Sequence, residues 1–174
     1  MKTLIIVDMQ NDFITGPLGT SEAQKVEKYI VKWLHAFPYD QIYVTRDTHD
    51  SDYLATPEGI KLPVPHCIRG TEGWQVSRAI MEELEKPEVF YTFINKTTFG
   101  YPAWDLENLR GKEDDEIILV GVCTDICVVS NALILKSMFP YARIRVIPFL
   151  CAGTTPENHQ KALDVMKSCQ IEVV

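Results

Sequence analysis

The sequence predicts an α/β fold in which a parallel β-sheet is covered by helices on both faces. Apolar runs of strand length recur along the chain, and amphipathic stretches with helical spacing separate them. The apolar runs are continuous rather than alternating, as expected of strands buried on both sides. With 174 residues, of which 46% are hydrophobic and 24% charged, the chain can bury a full core.

The elements follow in order. Thr3–Asp8 is the first strand, with Leu4 to Val7 leading into a carboxylate. Ser21–Ala36 is a helix, because Val26, Tyr29, Ile30, Trp33 and Leu34 fall on one face. Gln41–Arg46 is the second strand. An irregular region from about Asp47 to Thr71 follows, and a loop of that length inside a compact domain is usually functional. Gly73–Glu85 is a helix, Val89–Ile94 a strand and Asp105–Leu109 a short helix. The run Lys112 to Glu116 reads as a solvated loop before the strand Glu116–Gly121. A helix Thr124–Phe139, a strand Arg143–Pro148, a helix Pro156–Ser168 and a strand Ile171–Val173 complete the set. There is no repeat, low-complexity segment or linker, so residues 1–174 are expected to be one domain.

The net charge of -7, with no basic block, argues against nucleic acid and anionic membranes as partners. No stretch has signal-peptide or transmembrane character. The five cysteines show no disulfide framework, and the Cys123/Cys127 pair has no second pair to complete a zinc site. A reducing cytoplasm is the expected compartment.

In an open parallel sheet the active site lies at the carboxyl ends of the strands. Asp8, Arg46-Asp47, Lys96 and Cys127 all stand at such ends. Gly121-Val122-Cys123-Thr124-Asp125-Ile126-Cys127 turns from a strand into a helix, with Thr124 as the expected N-cap and Cys127 in the first turn. Free N–H groups and the positive helix end there would push a thiol toward thiolate and could bind an oxyanion. Lys96 would favour the thiolate, and Asp8 would take the thiol proton and later deliver it to a leaving amine. Taken singly, each has an ordinary reading: a buried cysteine, a solvated lysine, a turn aspartate. No histidine stands near Cys127 in sequence, so Asp8 is the expected proton carrier. Asp47 and His49 are two apart in an extended segment and could chelate one ion, with His66 closing from across the loop. Carboxylate and imidazole donors suit zinc, iron or manganese.

Asp8-Met9-Gln10-Asn11-Asp12-Phe13, Lys96-Thr97-Thr98-Phe99 and Gly121 to Val128 resemble, in order and spacing, the three signatures of the isochorismatase-like cysteine hydrolases. Cys151-Ala152-Gly153 and Pro156 to His159 resemble that family too. The resemblance implies a doubly wound, Rossmann-like three-layer sandwich with six parallel strands. It also implies a catalytic triad of Asp8, Lys96 and Cys127, a cis peptide before Cys123, and an oxyanion hole formed by the N–H groups of Cys123 and Cys127. Many members have Ala where this chain has Cys123.

Asp47, His49, His66 and the segment Pro65 to Gly73 resemble the nicotinamidase subgroup, with Glu58 placed like a fourth metal ligand of some members. That implies a metal-dependent amidase converting nicotinamide to nicotinate and ammonia through a thioester, in NAD salvage. One divalent ion, zinc first and iron or manganese next, would hold the pyridine nitrogen. Pro63 stands where many nicotinamidases have an aromatic residue, which leaves Phe13 and Phe99 as the aromatic faces of the pocket. The alternatives are hydrolysis of another small amide or a vinyl ether, or a non-catalytic metabolite-binding member of the fold. The expected partner is a small-molecule amide, and homo-oligomerisation is left open. His35 and His159 are expected to be a helix-end charge and a surface or packing residue. Cys67, Cys151 and Cys169 are expected to pack.

Overall fold

A computed structural model describes residues 1–106 and 114–174. The chain runs β1 (Lys2–Val7), α1 (Asn11–Ile14), α2 (Ser21–Ala36), β2 (Gln41–Asp47), a 3-10 turn (Tyr53–Ala55), α3 (Pro57–Lys61), α4 (Arg78–Leu84) and β3 (Tyr91–Lys96). It continues through β4 (Glu116–Val122), a π-helical turn (Thr124–Val128), α5 (Val129–Met138), β5 (Arg143–Ala152), α6 (Pro156–Ser168) and β6 (Glu172–Val173). The strands form one six-stranded sheet in the order β3-β2-β1-β4-β5-β6. Every neighbouring pair is parallel. From the central pair β1 and β4 the sheet grows outward in both directions, so the topological switch lies between them.

Strand alternation supplies two cores. Leu4 and Ile6 of β1 face one side, with Ile42, Val44, Ile118 and Val120, against Ala23, Val26 and Ile30 of α2 and Ile80 and Leu84 of α4. Ile5 and Val7 face the other side, with Ile117, Leu119, Ile144 and Val146, against Ala132 and Leu135 of α5 and Leu163 and Met166 of α6. Each such aliphatic side chain contributes about 1.5–3 kcal/mol on burial. Both long outer helices are capped as their sequences dictate. Thr20 accepts from Ala23 N–H at 3.0 Å, and Thr155 accepts from Asn158 N–H at 3.1 Å with Pro156 just inside the helix.

Four expectations change. The helix expected over Gly73–Glu85 begins only at Arg78, because residues 73–77 hydrogen-bond to the chain after β1. Asn11 and Asp12 donate to the carbonyls of Gln75 and Gly73, and Ser77 donates to Met9. Asp105 and Leu106 are not helical, and the remainder of Asp105–Leu109 lies outside the described residues. The irregular region is organised by the 3-10 turn and α3. The acidic run before β4 is not simply solvated. Asp115 is buried and pairs with the N-terminal amine at 3.0 Å, and Glu116 pairs with Arg145. Lys112 and Glu113 of that run lie outside the described residues.

Candidate active site

The site is built at the switch point. Gly121 sits at φ +118°, and a Cβ there would lie 2.1 Å from the Val7 carbonyl oxygen, so only glycine lets β4 close on β1 at this level. Asp8, directly after β1, has φ 49° and is tied to β2. Its N–H donates to the Thr45 carbonyl at 3.2 Å, and the Thr45 hydroxyl donates to Asp8 Oδ1 at 2.6 Å. Lys96 closes β3 in register with Asp47. Its Nζ lies 2.6 Å from Asp8 Oδ2, 3.5 Å from Cys127 Sγ and 3.6 Å from Asp47 Oδ1. The structure thus brings together the acid, the cation and the thiol expected from the sequence, all three buried.

The Val122–Cys123 peptide is cis, as the resemblance implied. Cys123, not Thr124, occupies the N-cap position, and the turn that follows is π-helical. The Cys123 carbonyl accepts from Ile126 and Val128 N–H, both at 3.1 Å, passing over the N–H of Cys127. Thr124 is buried inside the turn, and its hydroxyl bonds to His159 Nδ1 at 2.8 Å. His159 is therefore a half-buried polar partner of the turn that carries Cys127 rather than a surface or packing residue. Asp125 anchors the same turn to the loop after β5, accepting from Thr154 N–H at 2.8 Å and from its hydroxyl at 2.6 Å.

The electrostatics revise one expectation. Burial, and then the Asp8 charge, push the Cys127 thiol well above its ordinary range, and Lys96 only partly offsets them. At this depth desolvation opposes ionisation of the thiol by more than the helix end favours it. Burial also raises the Asp8 carboxyl, which makes it a stronger base, while Lys96 pulls the other way. Lys96 itself is held protonated: burial lowers it, but Asp8, Cys127 and Asp47 outweigh that. Among the other thiols, Cys67 is fully buried and raised by burial, and Cys151 is pushed up to about 12 by burial. Cys169 is exposed rather than packed.

Beside this triad, Asp47, His49, Glu58 and His66 place one donor atom each within 4.8 Å of one another. His49 Nε2 lies 3.0 Å from Asp47 Oδ2 and 3.7 Å from Glu58 Oε1. His66 Nε2 lies 3.6 Å and 3.9 Å from the same two atoms. The other His66 nitrogen, Nδ1, is taken by the Val64 carbonyl at 2.8 Å, which fixes the tautomer with Nε2 free to ligate. Two imidazoles and two carboxylates with oriented lone pairs fit a divalent transition metal. Burial raises the Asp47 carboxyl, but the adjoining His49 and His66 imidazoles and the Lys96 charge more than reverse this and hold it ionised.

Supporting residues went unassigned in the sequence. Gln10 grips the Asp47 backbone at both ends: Oε1 accepts from Asp47 N–H at 2.7 Å, and Nε2 donates to the Asp47 carbonyl at 2.8 Å. Tyr53 packs its ring against both imidazoles, at 4.6 Å from His49 and 5.0 Å from His66. Gln10 lies in a quoted motif, so its place was visible but its partner was not. A cavity of about 640 Å³ opens onto Cys127 and reaches Asp47, Glu58 and His66, with Phe13 and Phe99 among its walls. Leu62, rather than Pro63, faces it from the metal-site loop.

A family model for the isochorismatase domain matches residues 2–174. The chain belongs to the isochorismatase family. Within that family it is 36% identical over 143 residues to an uncharacterised isochorismatase family protein PncA of Bacillus subtilis, covering 76% of each chain. It is 29% identical to the nicotinamidase/pyrazinamidase of Mycobacterium tuberculosis, covering 100% of this chain and 98% of that one. The crystal structure of nicotinamidase/pyrazinamidase PncA from Bacillus subtilis superposes with a TM-score of 0.83 at 31% identity, with full coverage of both chains. The pyrazinamidase of Pyrococcus horikoshii in complex with zinc gives 0.74 at 26% identity, over 99% and 97% of the two chains. The doubly wound isochorismatase-like fold expected from the sequence is the fold observed.

Proposed function

We propose that this isochorismatase-family chain is a cysteine amidase of nicotinamidase type, carried by one domain over residues 1–174. The observation that carries the reading is that the Asp47 carboxylate joins two clusters. Its Oδ1 lies 3.6 Å from Lys96 of the triad, and its Oδ2 lies 3.0 Å from His49 of the ligand set. Both clusters open into one cavity. Nicotinamidases among the relatives, and a zinc-bound pyrazinamidase of the same fold, support it.

In this reading the amide carbon sits over Cys127. Asp8 takes the thiol proton as sulfur attacks, and the carbonyl oxygen turns toward the N–H groups of Cys123 and Cys127. Lys96 balances the negative charge that passes between Asp8 and the substrate. Collapse breaks the C–N bond, and Asp8 returns its proton to nitrogen, releasing ammonia. Water then attacks the thioester, giving one proton to Asp8, and the C–S bond breaks to free the carboxylic acid, which loses its proton to solvent, and the thiolate, which regains the proton held by Asp8.

Asp47, His49, Glu58 and His66 would hold one divalent ion, zinc first among zinc, iron and manganese, and the bound ion supplies a Lewis-acid anchor for a pyridine nitrogen. Phe13 and Phe99 would flank the ring. The products would be nicotinate and ammonia, a step of NAD salvage, and the proposed compartment is the cytoplasm. Among the described residues, no helix is long and apolar enough to cross a membrane. Ammonia release from nicotinamide, compared with a panel of small aliphatic amides and a vinyl ether, tests the reading. Turnover of the aliphatic amides or the vinyl ether in preference to nicotinamide would overturn it.

A further inference from the structure

The side chain of Asn131, on the inner face of the first turn of α5, is completely buried between two walls of the site. Its Nδ2 donates to the Cys127 carbonyl at 2.8 Å and to the Phe99 carbonyl at 3.2 Å. Its Oδ1 accepts from Tyr101 N–H at 2.9 Å and from Trp104 Nε1 at 3.3 Å. An amide side chain offers two donor hydrogens and two acceptor lone pairs, and here all four are used. Its orientation is fixed as well. Turned over, it would set an oxygen against two carbonyls and an NH₂ group against two N–H donors.

The two walls carry the reacting groups. One is the π-helical turn that ends in Cys127 and Val128. The other is the segment from Phe99 to Tyr101, which follows Lys96 at the end of β3. Asn131 is the side chain that bonds to both backbones. We propose that Asn131 is a positioning residue of the amidase reaction, setting the spacing between the Lys96 ammonium and the Cys127 sulfur by tying the nucleophile turn to the loop after β3. The proposal rests on the reading of Cys127 as nucleophile, and it extends that reading to a residue that touches neither substrate nor sulfur. Lys96 Nζ and Cys127 Sγ are 3.5 Å apart. Slack of about 1 Å in such an arrangement costs about 10²-fold in rate.

The test uses Asn131→Asp, which keeps the size and the acceptor toward Tyr101 and Trp104 but loses the donor toward Cys127 and Phe99. Only when its carboxyl is protonated can the new side chain donate to the Cys127 carbonyl, so its donor is regained only as pH falls. The readouts are kcat on nicotinamide from pH 5 to 9 and the iodoacetamide alkylation rate of Cys127, followed by peptide mass mapping. Relative to wild type at the same pH, kcat is expected to fall about 100-fold at pH 8 and to recover at least tenfold toward pH 5. Alkylation of Cys127 should slow in parallel, because a sulfur that drifts from Lys96 is harder to ionise. A pH profile parallel to wild type, or kcat and alkylation within twofold of wild type on a folded protein, would overturn the proposal. Asn131→Leu is the second variant, with loss at every pH and no recovery on acidification expected, and a kcat within twofold of wild type would also overturn it. If wild type fails to hydrolyse nicotinamide, the substrate reading falls, while the alkylation rates still decide the role of Asn131.

Discussion

Asp47 and Lys96 end adjacent strands in register, with Oδ1 3.6 Å from Nζ, while the other Asp47 oxygen lies 3.0 Å from His49. One carboxylate thus belongs to both the triad and the ligand set, and substitutions there should separate from those at the histidines. His49→Ala is expected to weaken divalent-ion affinity by at least about tenfold and mainly to raise KM, since it touches the ligand set alone. Asp47→Asn should weaken the ion and also lower kcat, because Lys96 loses a neighbouring charge. Metal titration by calorimetry with steady-state kinetics checks the split, and equal kcat effects from both variants would count against it.

Chelation should remove activity on nicotinamide without unfolding the chain. The two cores on either side of the sheet do not depend on the ligand cluster. The bound ion should raise thermal stability only through mass action. Circular dichroism and activity before and after treatment with a chelator measure both outcomes. Full activity in a protein shown by metal analysis to be ion-free would contradict the ligand assignment.

The buried Asp8–Lys96 pair should behave as a functional rather than a stabilising feature. Lys96→Met alone strands the Asp8 carboxylate away from water and should cost about 3–5 kcal/mol of stability. Combining Lys96→Met with Asp8→Asn removes both charges and should restore stability to near wild type, with activity still absent. Denaturant unfolding of the two variants decides this. A double variant less stable than Lys96→Met would contradict it.

Alkylation should separate exposure from function. Cys169 is exposed, whereas Cys127 is buried and its thiol is raised well above the ordinary range. Limited iodoacetamide is therefore expected to label Cys169 first with activity retained, and activity should fall only as Cys127 is labelled. Mass mapping against residual activity follows both, and inactivation that tracks Cys169 would contradict the picture.

Tyr39 gives a signed pH effect on stability. Burial raises its phenol to about 12, partly offset by a hydrogen bond from Trp33. Because the folded value lies above the ordinary one near 10, the stabilisation is complete below pH 10 and is lost as pH rises toward 12. Denaturant melts of wild type and Tyr39→Phe between pH 8 and 11 should converge as pH rises. Parallel curves would show that Tyr39 does not titrate with folding.

The layered sheet and its long helices were legible because periodicity reports burial directly. Ser21–Ala36 and Pro156–Ser168 match residue for residue, since their caps Thr20 and Thr155 are written in the sequence. Asp8, Lys96, Cys127, Asp47, His49 and His66 could be named as candidates because they stand at or just after strand ends or in the one long loop, whereas Glu58 was reached only through the family resemblance. Asn131, Gln10 and Thr45 could not, because their roles depend on partners 32 to 37 positions away in the chain. The start of α4 was placed too early because pairing of residues 73–77 with the segment after β1 overrode local propensity. The upward push on the Cys127 thiol was not legible because sequence shows a helix start but not the depth at which it is buried.

The central claim is that Cys127 is the nucleophile of an amide hydrolase. The most direct measurement is the initial rate of ammonia release from nicotinamide by metal-loaded Cys127→Ala beside wild type at equal folded concentration. Loss of the covalent step should reduce kcat by about 10⁴-fold or more, with the far-UV spectrum and melting temperature of the fold retained. A variant that keeps a tenth or more of the wild-type rate would contradict the account.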